Sequence, residues 1–171
     1  RAIVLINPNN PTGAITSDQT TAQILALATE HDLVVISDEV YRELCFVKPP
    51  TSASVLTATA GASVITLESL SKTHLIPGWR VGWCAPGKRY RERVMQLKAT
   101  TTLATPTLFQ MAIAEYLATG GYDHHLRKVR KCYAEQIRDA TLAVQRFFPD
   151  GTRTTHPQGG GVLWVQLPGK V

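Results

Sequence analysis

Three short apolar runs, Ala2–Ile6, Leu33–Ile36 and Ser63–Leu67, each give way at once to a polar cluster. Runs of this length and composition read as buried strands. Between the first two lies a stretch that Ser17-Asp18 can cap, running to about Glu30, with Ile24, Leu25, Leu27 and Ala28 expected on its inner side. Lys48–Gly61 is rich in Pro, Ser, Thr and Ala and reads as a loop with at most a short helical turn. Strand, helix, strand, crossover, strand predicts an α/β fold with a mainly parallel sheet. In such sheets ligands bind beyond the carboxyl ends of the strands. Here those ends carry Asn10, then Asp38 with Tyr41, then Ser69 with Lys72.

The rest of the chain continues the pattern. Arg80–Ala85 reads as a fourth strand, and Arg89–Lys98 as a helix with Val94 and Leu97 inward. A helix starting at Pro106 or Thr107 carries Met111, Ile113, Ala114 and Leu117. Tyr122–Phe148 has Leu126, Val129, Tyr133, Ile137, Ala140 and Val144 at helical spacing and predicts one long amphipathic helix. Thr152–Thr155 and Gly161–Leu167 read as strands of a second layer, with Gly159-Gly160-Gly161 as the turn between them. The expected division is a large domain over 1–119, a linking helix over 120–148 and the start of a small domain over 149–171.

With 171 residues, 44% hydrophobic and 18% charged, the composition is that of a soluble globular protein. No apolar run approaches the roughly 20 residues that span a bilayer, and no secretory leader opens the chain. It begins on one strand and stops after another, which reads as a piece of a longer protein. The net charge of +5 sits mainly between Lys88 and Arg146, on helical stretches. Without zinc-ligand spacing, an RNA-binding aromatic motif or a helix-turn-helix, this is a solvated basic face rather than a nucleic-acid surface. Cys45, Cys84 and Cys132 form no CxxC pair, so free thiols and a cytoplasmic location are expected. The histidines lack metal-site spacing, and no metal centre is expected.

Chemistry concentrates in Leu67–Trp83. A lysine just beyond a buried strand can be desolvated, which lowers its pKa, and a neutral amine forms a Schiff base with an aldehyde. Serines before Lys72, and Arg80 eight residues after it, suit a phosphate. An aldehyde and a phosphate on one small molecule point to pyridoxal phosphate. That cofactor also needs an acid at its pyridine nitrogen and donors at its 3′ oxygen. Asp38 is offered for the first, Asn10 and Tyr41 for the second, and Ser69 and Arg80 for the phosphate with Ser71 nearby. Taken singly, Asp38 could equally be a turn cap, Asn10 a turn residue, Tyr41 core packing and Arg80 an ion-pair partner.

Asn7-Pro8-Asn9-Asn10-Pro11-Thr12-Gly13, Ser37-Asp38-Glu39-Val40-Tyr41 and Ser69-Leu70-Ser71-Lys72-Thr73, with Pro77-Gly78-Trp79-Arg80-Val81-Gly82, resemble the class I/II aminotransferases of pyridoxal-phosphate fold type I. The resemblance implies the aspartate-aminotransferase-like large domain and the start of a small α+β domain. It makes Lys72 the Schiff-base lysine and proton shuttle, and Asp38 the partner of the pyridine nitrogen. Asn10 and Tyr41 then bind the 3′ oxygen, while Ser69 and Arg80, with Ser71, bind phosphate. It also implies amino-acid and 2-oxo-acid substrates, a homodimer for the full-length protein, and often a cis bond at the position of Asn10-Pro11. The glycine-rich phosphate loop and ring-stacking aromatic are expected before Arg1, and the substrate-carboxylate arginine after Val171.

Tyr90–Leu97, Leu103–Thr107, Gly120–Arg127 and Thr155–Leu167 also look like the effector domains of MocR-type GntR transcription regulators and the related aminoadipate-type aminotransferases. In those regulators an upstream winged helix contacts DNA. The spacing from Lys72 to Arg80 is more similar to free amino-acid aminotransferases, so an enzyme core is the leading expectation and a regulator domain the alternative.

Overall fold

The computed structural model of the protein describes residues 1–169; the last two positions of the expected 149–171 segment lie outside them. Strand β1 (Ala2–Ile6) leads through a turn-rich loop into helix α1 (Asp18–Glu30), then β2 (Val34–Asp38). A 3-10 turn at Arg42–Leu44 precedes α2 (Ala53–Ala60) and β3 (Ser63–Ser69). One helical turn, α3 (Leu70–Thr73), and a 3-10 turn at Pro77–Trp79 lead to β4 (Gly82–Ala85). Helices α4 (Gly87–Thr101), α5 (Thr107–Ala118) and α6 (Gly121–Phe147) follow, then β5 (Arg153–Thr154) and β6 (Val165–Gln166).

The main sheet has the order β1-β2-β3-β4. β1, β2 and β3 run parallel, with Asp38 opposite both Ile6 and Leu67, so their carboxyl ends lie level. β4 is antiparallel to β3 and sets Gly82 against Ser69. A Cβ on Gly82 would stand 2.8 Å from the Glu68 carbonyl oxygen, so only glycine permits this close approach. The core joins Leu25 and Ala28 of α1, Val35 of β2, Ala53 of α2 and Val64 of β3. A second cluster packs Leu126 and Val129 of α6 on Leu44, flanked by Tyr41, Tyr122 and Tyr133.

Several local expectations change. Lys48–Gly61 holds a genuine helix, α2, because Ser52 caps it (Oγ accepting from the Ser54 amide, 3.3 Å) and Gly61 ends it at φ +67°. Arg80 is in the left-handed region (φ 52°) and does not belong to β4. Leu27, Leu97, Met111, Leu117 and Ala140 are exposed, since among the described residues nothing covers those faces. The expected strand Gly161–Leu167 is regular only at Val165–Gln166, paired antiparallel with β5. The glycines before it are docked on the large sheet's loops: Gly160 N–H donates to the Leu44 carbonyl (3.1 Å), and Gly159 bridges to Cys45. No described helix is long and apolar enough to cross a membrane.

Candidate active site

The three level strand ends open into turns that the ladder continues to hold. Asn7 N–H donates to the Asp38 carbonyl (3.0 Å) and Glu39 N–H to the Leu67 carbonyl (2.9 Å). The first loop is closed from inside by Asn7, buried, whose amide nitrogen donates to the Thr16 carbonyl (2.9 Å) while its oxygen accepts from the Thr16 amide (2.9 Å). Asn9 accepts from the Thr12 hydroxyl (2.8 Å). Asn10 is left at the exposed tip, and its side chain has no hydrogen-bond partner among the described residues. Both Asn7-Pro8 and Asn10-Pro11 are cis.

Strand periodicity sorts the residues after β2. Val35, Ser37 and Glu39 share the buried face, and Asp38 takes the other. Glu39 is spent on the fold: one carboxylate oxygen accepts from Ser37 Oγ (2.9 Å), Ser52 Oγ (3.1 Å) and the Ala53 amide (2.9 Å). Asp38 is half-buried and accepts one bond, from the Val40 amide (3.1 Å). Its second oxygen is unengaged by the described residues. The Tyr41 ring lies against Leu44, Leu126, Val129 and Gly160, and its hydroxyl is unpartnered among the described residues.

At the end of β3, Ser69 caps α3. Its Oγ accepts from the Ser71 amide (3.0 Å) and sits 2.8 Å from Ser71 Oγ and 3.1 Å from the Val81 carbonyl. Lys72 follows on the same turn. It is exposed rather than desolvated, because α3 is too short to bury it, and its ammonium has no partner among the described residues. The β3–β4 pairing sets Gly82 opposite Ser69, with Arg80 two residues earlier. The guanidinium, however, turns onto its own loop and donates to the Pro77 carbonyl (2.8 Å).

Two groups of residues were not expected from the sequence. Arg42 pairs with Glu39 (3.4 Å), Glu43 (2.8 Å) and Glu68 (3.7 Å), and Arg130 of α6 pairs with Glu43 (2.9 Å), tying the ends of β2 and β3 to α6. Burial pushes the Glu68 carboxyl above its ordinary range despite Arg42. His74 stacks on Tyr122 (4.8 Å) and His125 (4.6 Å), and burial, with the charge of His125, lowers its pKa to about 4. The helical spacing of Tyr122, His125, Leu126 and Val129 was the available signal for the second group.

The donor set matches pyridoxal phosphate on an observation of the fold itself. Asn7 and Glu39 are bonded to their surroundings, whereas Asn10, Asp38, Tyr41 and Lys72 keep an amide, a carboxylate oxygen, a phenol and an amine unused. With the paired hydroxyls of Ser69 and Ser71 these complement a 3′ oxygen, a pyridinium, an aldehyde and a phosphate. Among the described residues no group of three or more His, Cys, Asp or Glu side chains is placed to hold a metal ion.

Residues 1–170 match the family model for aminotransferase class I and II. An uncharacterized HTH-type transcriptional regulator of Escherichia coli, YjiR, is 35% identical over 100% of this chain and 36% of its own length. The 2-aminoadipate transaminase of Thermus thermophilus is 34% identical over 93% of this chain and 40% of its own. The crystal structure of LysN, the α-aminoadipate aminotransferase of Thermus thermophilus in complex with N-(5′-phosphopyridoxyl)-L-leucine, superposes with a TM-score of 0.89 at 35% identity, covering 98% of this chain and 43% of that one. The chain thus spans well under half the length of these relatives.

Proposed function

The chain belongs to the class I and II aminotransferase family, and we propose that it forms the core of a pyridoxal-phosphate-dependent aminotransferase that moves an amino group between an amino acid and a 2-oxo acid. What supports this reading is that Asn10, Asp38, Tyr41 and Lys72, on the segments that follow the level ends of β1, β2 and β3, keep polar groups that the described residues leave unused. Bound there, the cofactor supplies an aldehyde that joins to amines and a ring that withdraws electrons. Asp38 would hold the pyridine nitrogen protonated through its free oxygen. Asn10 and Tyr41 would donate to the 3′ oxygen, and Ser69 and Ser71 to the phosphate. Arg80 joins them only by leaving the Pro77 carbonyl, a rotation of an exposed side chain. The Lys72 amine would hold the aldehyde and, once released, take a proton from the substrate carbon and return it elsewhere.

The test is reductive trapping. Protein mixed with pyridoxal phosphate, reduced with borohydride and digested should carry the pyridoxyl mass on Lys72 well ahead of Lys88, Lys98 and Lys128. Lys72→Ala should abolish that peak. Labels spread evenly over the surface lysines would sink the reading. A panel of amino donors assayed with the whole protein then identifies the substrate.

A second reading is the effector domain of a MocR/GntR-type regulator, favoured by the match of this whole chain to 36% of YjiR. DNA-binding helices encoded upstream would decide for it. In either case we read the whole protein as a cytoplasmic homodimer divided near residues 119 and 148. The exposed Leu103, Leu108 and Met111 support a surface that the remaining chain or a second copy covers. Sedimentation of the whole protein tests the dimer.

A further inference from the structure

The turn that carries Lys72 is held by histidines of two elements. His125, on α6, donates its Nε2–H to the Thr73 carbonyl (2.9 Å). A carbonyl only accepts, so the proton is placed on Nε2. His74 follows Thr73 directly. Its Nδ1 lies 2.9 Å from the Thr73 hydroxyl, and its ring stacks with Tyr122 (4.8 Å) and His125 (4.6 Å), with Tyr116 edge-on at 5.4 Å. Leu70 and Thr73 are buried, and the turn closes through the His74 amide on the Leu70 carbonyl (2.9 Å).

Apolar burial of Leu70 fixes how close the turn sits. A cleft of about 260 Å³, lined by Leu70, His74, Trp79, Ile113, Tyr116 and His125, runs beside it toward α5. Nonpolar burial sets distance but not direction, so the directional contacts from α6 fix the turn's orientation. Hydrogen-bond direction and ring stacking fix rotation as well as distance, and a four-residue turn has too few internal bonds to fix itself. The held carbonyl belongs to the Thr73–His74 peptide, one residue beyond Lys72, so its orientation reaches the Lys72 Cα through Thr73 and the helical turn they share.

We propose that His125 and His74 are positioning residues that lock the Lys72 turn onto α6 and so set the approach of the Lys72 amine to its carbonyl partner. The inference rests on the cofactor reading for what Lys72 does, and on the geometry alone for what holds it. Because α6 also grips the Tyr41–Leu44 turn through Leu126, Val129 and Arg130, one helix registers two parts of the site against each other.

Amide exchange of the full chain without cofactor tests the hold, with Val35 in the central strand as the reference for global opening. His125→Leu should speed exchange at the His74 amide about tenfold relative to Val35, the effect of one lost hydrogen bond. His125→Gln, which keeps a donor of similar reach, should restore it. In the trapping experiment, labelling of Lys72 relative to Lys128 should fall about tenfold in His125→Leu and recover in His125→Gln. His74→Phe keeps the stack, loses the Thr73 contact and should fall between them. Unchanged exchange in His125→Leu, equal acceleration at Val35, or a glutamine variant no better than leucine would each overturn the role. A wild-type protein that takes no label at Lys72 overturns the cofactor reading instead, while the exchange comparison still decides the hold.

Discussion

Identical or nearly identical residues meet opposite fates within a few positions of one another. Asn7 is consumed by the loop and Asn10 is not; Glu39 is consumed by the core and Asp38 keeps one oxygen free. Asp38→Ala should therefore leave the urea midpoint nearly unchanged but weaken cofactor retention about 10- to 100-fold, the loss of a charge-assisted bond. Equilibrium dialysis against pyridoxal phosphate measures the second effect. Asn7→Ala should do the reverse, costing about 1–3 kcal/mol of stability by orphaning the Thr16 groups. His74 gives a pH signature. Its pKa in the fold, about 4, lies below the ordinary histidine value of 6.5, so the unfolded chain binds the proton more readily between those values. Its contribution is complete above about pH 6.5 and is lost as pH falls toward 4. Urea titrations across that window should show a steeper loss in wild type than in His74→Phe.

Elements here depend on such bonds for their existence. α2 has a Ser- and Thr-rich sequence with modest intrinsic helicity, which is why Lys48–Gly61 reads as a loop. Its first turn is supplied by Glu39, reaching across from β2 to Ser52 and the Ala53 amide. Glu39→Ala would leave the Ser37 and Ser52 hydroxyls and the Ala53 amide without their acceptor, at about 1–3 kcal/mol, while Arg42 keeps Glu43 and Glu68. Circular dichroism during urea unfolding should show the lower midpoint, and amides of Ala53–Ala60 should exchange before those of β2. The strands and α1, α5 and α6 were legible, because period-two and period-3.6 patterns and the Ser17 cap are local. The exposure of Leu97, Met111 and Leu117 was not, because an amphipathic pattern names a face without naming what covers it.

At the scale of the molecule, the segment His156–Gly161 closes the chain onto its own beginning. Gln158 N–H donates to the Gly13 carbonyl (2.9 Å), and Phe46 N–H to the Gln158 carbonyl (2.9 Å). Gly13 sits at φ +70°, and a Cβ there would stand 2.4 Å from Pro157 Cβ and 2.9 Å from its Cα. Gly13→Ala combines left-handed strain with a backbone clash and should cost about 2–4 kcal/mol. If the closure is what yields, thermolysin should cut near residues 156–161 faster in the variant while β2 stays protected. The nearby Asn10 loop would loosen with it, coupling the start of the second layer to the site.

The sequence by itself determined the mainly parallel strands and the inventory of groups that follow them: an amine, a carboxylate, an amide, a phenol and hydroxyls. Those follow from patterns a few residues long. The tertiary structure decided which of these groups the fold consumes and which it leaves free, that Lys72 stands exposed, that Arg80 faces its own turn, and that His74 and His125 grip the lysine turn. The bond between His125 and Thr73 spans 52 residues. Contacts of that range arise only when helices are packed on a completed sheet, and no local pattern of residues encodes them.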